Sequence, residues 1–91
     1  MNNATYHLML EAMNLNEELY RCQFALAMNP KLMVENEEAY EKGHTFVYKR
    51  WEKIKNTLTN VDKLGERADE RLLMLIELLK ADIADCKEAL K

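Results

Sequence analysis

Two groups of acids carry the chain's clearest chemical pattern. Glu37, Glu38 and Glu41 fall within five residues, and Glu66 and Asp69 follow at a spacing of three. On helices, spacings of three and four bring carboxylates onto one face, and magnesium needs several oxygen ligands to hold a triphosphate while water attacks it. Glu41 and His44 form a Glu-x-x-His pair, the ligand spacing of di-iron bundles. A full site of that kind needs a second such pair, whereas the other histidine, His7, has only Glu11 four residues on. Local contacts between exposed histidines and glutamates account for both. Covalent catalysis has less to work with. There is no serine, neither Cys22 nor Cys86 has a histidine close in sequence, and both cysteines fall on apolar stripes that favour a neutral thiol. No close pair of cysteines points to a metal, so reduced, apolar thiols and no cofactor are expected.

Written as EExxE over residues 37–41 and ExxD over 66–69, the acidic pattern resembles that of the MazG-type all-helical nucleoside triphosphate pyrophosphohydrolases. The resemblance covers nine positions. It implies Glu38, Glu41, Glu66 and Asp69 as magnesium ligands and a nucleotide as substrate. Helix geometry opposes that reading: a hairpin turning near Asn60 sets Glu41 opposite roughly residue 79, and Glu66 and Asp69 opposite Trp51 and Ile54, about 15–20 Å away. In length the chain also resembles the helical chorismate mutases, whose first helix supplies cationic groups to a dicarboxylate. The first helical segment here offers only Arg21.

A basic stretch at residues 48–56 interleaves Lys49, Arg50, Lys53 and Lys55 with Tyr48 and Trp51. Such a pattern can contact phosphates while an aromatic ring stacks a base. Trp51, however, belongs to the apolar row of its helix and is expected in the core. The basic patch therefore fits an acidic protein surface better than a nucleic acid.

Three elements must position these groups. In residues 4–28, Leu8, Ala12, Leu15, Leu19, Cys22 and Leu26 step by four and three, the spacing of one helical seam. A second row beside it, Tyr6, Met9, Met13, Tyr20, Phe24 and Ala27, widens the apolar face beyond a single helix contact. Pro30 disfavours helical geometry at Asn29 and ends this helix near Met28. In the next segment Tyr40, Gly43, Val47, Trp51, Ile54 and Leu58 predict a helix over 34–58, with Gly43 marking a bend, a close approach of another backbone or a break into two shorter helices. The third runs over 61–90 through Val61, Leu64, Ala68, Leu72, Leu75, Leu79, Ile83, Cys86 and Leu90, opened by Thr59 or Asn60 as cap. Five consecutive apolar residues from Leu72 to Ile76 cover nearly the whole circumference, so more than one side of this helix is expected to be covered. No strand-like alternation, internal repeat or low-complexity linker interrupts the pattern.

The expected fold is thus all-α: one domain over 1–91, an antiparallel three-helix bundle with a long hairpin from helix two to helix three. With 91 residues, 48% of them hydrophobic, the chain buries only roughly 60–70% of its unfolded surface, which makes self-association useful to its stability. Charge is unevenly spread: residues 1–41 carry a net −5, residues 42–63 a net +4 and residues 64–91 a net −2. Such polarity suits antiparallel pairing or a complementary partner, while the overall −3 opposes non-specific nucleic-acid binding. Residues 2–10 lack the basic start and the length of a secretory or membrane segment, so a cytoplasmic protein without a membrane partner is expected. A small, motif-poor protein of this kind is also compatible with a phage origin. The reading that follows is a non-catalytic regulatory or interaction protein that forms a homodimer or higher oligomer and binds or inhibits a larger partner. Tyr6, Met9, Met13, Tyr20 and Phe24, with Leu73 and Ile76 of the third helix, are its expected interaction surface. The magnesium-dependent pyrophosphohydrolase is the alternative.

Overall fold

The computed structural model describes residues 1–29 and 37–91, with side chains described from residue 41 onward in the second stretch. Helix α1 spans Asn3–Ala27. Asn2 caps it, its Oδ1 accepting from the Thr5 backbone N–H at 2.8 Å, which satisfies one of the donors that a helix start leaves open. At the other end the Met28 N–H donates to the Phe24 carbonyl at 2.9 Å. The helix closes one residue before the expected end, and Pro30 lies outside the described residues.

Helix α2 spans Glu37–Thr59 and runs unbroken through Gly43. The close approach of another backbone expected at that glycine is absent among the described residues, since open space surrounds the position where a Cβ would stand. The expected start at residue 34 lies outside the described residues. After α2 the chain enters a 3-10 segment, Val61–Arg67, and only then helix α3, Ala68–Ala89. The single helix expected over 61–90 is therefore two pieces. Gly65, at φ 73° and ψ −151°, takes a backbone conformation that side chains with a Cβ rarely adopt, and this kinks the chain inside the 3-10 segment, two residues before it ends. The Asn60 side chain caps neither piece; its Nδ2 donates back to the Asn56 carbonyl at 2.9 Å.

Cross-helix contacts fix the directions. Asn16 donates to the Trp51 carbonyl at 3.1 Å and Phe24 meets His44, so α1 and α2 are antiparallel. Thr5 donates to Asp69, Glu11 pairs with Lys80 and Glu18 with Lys87, so α1 and α3 run parallel. It follows that α2 and α3 are antiparallel, and Arg50 on α2, bound to Asp82 on α3, fixes their register. The expected hairpin is present with a different register: a turn at Asn60 would have set Arg50 near residue 70. The 3-10 segment crosses the bundle end before α3 begins and moves the pairing twelve residues along.

Burial follows the sequence seams. Ala12, Leu58, Val61, Leu72 and Ile76 form one core cluster, and Leu19, Leu79 and Ile83 a second. Leu15, Ile54 and Leu75 pack against both and join them. Each fully buried leucine contributes roughly 1.5–3 kcal/mol of transfer free energy. Val61 lets the 3-10 segment close one end of this core. Asn16 is the one buried amide among the described residues; its bond to the Trp51 carbonyl satisfies it and sets the α1–α2 register.

Candidate interaction surface

The outer face of α3 is built by the same periodicity that builds its core. Leu72, Ile76, Leu79, Ile83 and Cys86 turn inward, while Leu73, Met74 and Leu78 are 51%, 68% and 54% exposed. Phe46 is 66% exposed on α2. It stands four residues before Arg50, hence on one helix face with it, and Arg50 reaches Asp82, four residues after Leu78. Phe46, the Arg50–Asp82 ion pair and Leu78 therefore border one side of the bundle.

The seven residues expected at an interaction surface divide among three environments. Tyr6, Phe24 and Leu73 are exposed, Tyr6 with its ring edge-on to His7 at 6.1 Å. Met9 and Met13 are half-buried against the first core cluster. Tyr20 is half-buried on Trp51, with ring centroids 5.2 Å apart, and Phe24 meets the His44 ring at 5.2 Å. The C-terminal part of the second row of α1, Tyr20 and Phe24, thus packs toward α2, and Met9 and Met13 pack on the core. Ile76 is a correction: only 2% exposed, it belongs to the core, because it stands one turn after Leu72 on the same face. The apolar run over residues 72–76 exposes Leu73 and Met74 instead.

The basic patch is similarly divided. Arg50 is engaged with Asp82, and the Lys55 ammonium lies over the Trp51 ring at 4.9 Å, while Lys49 and Lys53 are exposed. Trp51 is half-buried, and its indole N–H donates to Glu17 Oε1 at 2.8 Å, tying it to α1. Tyr48, the other aromatic, has its hydroxyl pKa raised through a hydrogen bond with Glu52.

The acidic motifs sit at opposite ends of the bundle. Asp69 is level with Thr5, whereas α1–α2 contacts place Glu41 level with the end of α1, some 22 residues further along. At 1.5 Å per residue that is about 33 Å, twice the expected separation and too far for one metal within one chain. The side chains of Glu37 and Glu38 lie outside those described. Glu66 and Asp69, with Asp62, Asn2 and Thr5, line an open cleft of about 350 Å³, in which Asp69 already accepts from the Thr5 hydroxyl. No group of three or more His, Cys, Asp or Glu side chains among the described residues is arranged to hold a metal ion.

Cys22 and Cys86 are free thiols that meet between α1 and α3. Burial, reinforced by the hydrogen bond to Cys22, pushes the Cys86 thiol up to about 12, so it is a neutral packing group. The sequence stripes had placed both cysteines facing inward but gave no sign that they would be neighbours. Among the described residues, no helix is long and apolar enough to cross a membrane. No family model, curated protein or solved structure matches the chain.

Proposed function

We propose that this chain is a small non-catalytic interaction protein that self-associates and docks onto a larger protein partner, as a regulatory or inhibitory subunit would. The observation that carries the reading is the outward side of α3, where Leu73, Met74 and Leu78 are each more than half exposed, with Phe46 of α2 exposed as well. Scattered exposed apolar residues are ordinary, but several on one helix of a small domain mark a surface that gains from being covered. The separated acids and the occupied Asp69 add weight to binding over phosphoryl chemistry.

Light scattering over a range of concentrations, with and without magnesium and a nucleotide mixture, tests the reading. The expected result is a mass that rises with concentration and ignores the ligands, and that falls to the monomer value in a Leu73→Glu/Leu78→Glu variant with helicity retained. A monomer at every concentration whose mass or melting temperature responds to magnesium and nucleotide would overturn it and bring the acidic motifs forward.

A further inference from the structure

The outermost positions of α3, continued by Arg67 at its N-terminal cap, form a row that the core does not use: Arg67, Arg71, Met74, Leu78, Ala81, Asp85 and Glu88, stepping by four and three throughout. Every one of them is exposed. Steps of four and three over three heptads are the seam of a two-helix pairing, and this seam lies opposite the one that faces α1 and α2. Its composition is ordered along the helix. Two arginines occupy the N-terminal end, three apolar residues the middle and two acids the C-terminal end. Among the described residues, Arg67, Arg71 and Asp85 make no ion pair, and Glu88 makes only a short-range one with Lys91 at 3.0 Å.

We infer that this row is where a second copy of the chain docks, with the two α3 helices antiparallel about a twofold axis beside Leu78. The inference rests on the self-association proposed above and names its geometry. Antiparallel pairing about that axis sets Arg71 across from the partner's Asp85, Arg67 across from the partner's Glu88, and Met74 against the partner's Ala81, large on small. Each contact occurs twice, as a twofold interface requires. Parallel pairing would instead set Arg71 against its own copy and Asp85 against its own copy, which charge repulsion disfavours. From Arg67 to Glu88 the row is about 32 Å long and about 10 Å wide, so the pair buries roughly 600–700 Å² in all. Stable complexes start near 1,200 Å², so even with Phe46 at the border the dimer is reversible, with Kd of the order of 10–100 μM.

The test is sedimentation equilibrium of the full chain up to about 500 μM. Leu78→Glu is expected to abolish the dimer, whereas Leu73→Glu, about 140° round the helix, leaves it intact. Circular dichroism checks that both remain helical. Arg71→Glu and Asp85→Arg each raise Kd at least about tenfold, and combining them in one chain restores it to within about threefold, because the new pair meets across the axis. Both are surface positions, so this comparison does not depend on how Leu78→Glu folds. A wild-type chain that is monomeric throughout overturns the pairing and self-association together. A wild-type dimer that survives Leu78→Glu, or is not rescued by the double charge exchange, overturns the pairing and leaves self-association standing.

Discussion

Leu78 and Leu79 are neighbours in the chain and opposites in the fold, which makes their replacement by alanine a direct test of how α3 is rotated. Leu79 is fully buried with Leu19 and Ile83, whereas Leu78 is 54% exposed. Alanine is the best helix former, so helix propensity contributes little to either change. Removing Leu79 loses the transfer free energy of its side chain and leaves a cavity, together about 2–5 kcal/mol. A chain of 91 residues has roughly 5–14 kcal/mol of total stability, so the loss takes a large share of it. At about 4–8 °C per kcal/mol, the melting temperature falls by roughly 8–40 °C. Leu78→Ala stays within about 0.5 kcal/mol. The assay is thermal and urea unfolding followed by circular dichroism at about 5 μM, where self-association adds no stability. Equal losses for both variants under those conditions would refute the rotation of α3 and, with it, the outer face on which the proposals stand.

The two glycines are expected to respond in opposite directions. Gly65→Ala forces a side chain into a positive-φ conformation and costs about 1–3 kcal/mol, while Gly43→Ala, in an open helix interior, stabilises by about 1 kcal/mol; matched urea titrations compare them. At high pH the relevant group is the Cys86 thiol, raised from an ordinary 9.0 to about 12 on folding. The folded chain keeps that proton where the unfolded chain releases it, so the contribution is complete below pH 9 and is lost as pH rises toward 12. Urea midpoints measured across that window are expected to fall less steeply in Cys86→Ala than in the unmodified chain.

The inward seams were legible because helical periodicity reports burial directly. Leu72, Leu79, Ile83 and Cys86 in α3, and Ala12 and Leu19 in α1, stand in the core where their spacing put them. Ile76 was misplaced because a continuous apolar run hides which of its members face in; the four-residue step from Leu72 was the available signal. Gly65 is hidden within a strong helical pattern, and no periodicity could disclose that the segment around it is a kinked 3-10 crossing. That crossing sets the α2–α3 register, so the distance between the acidic groups was underestimated with it. The second row of α1 was legible as apolar but not as covered, because Tyr20 finds Trp51 on α2, and Met13 the core cluster, only through tertiary packing. The outer row of α3 has strict heptad spacing in the sequence, yet its charged ends conceal it from a search for apolar repeats.

Because α1 and α3 run parallel, their peptide dipoles point the same way and two positive helix ends lie side by side. Helix α1 has no acid in its own first turn, whereas α3 has Asp69 and Glu70. Asp69 therefore serves both: it lies in the first turn of α3 and accepts the hydroxyl of Thr5 at the start of α1. One carboxylate offsets the mutual repulsion of two macrodipoles that would otherwise push this end of the bundle apart. A position that resembles a metal ligand in the sequence is thus a shared counter-charge in the fold, and neutralising it would fray two helices at once.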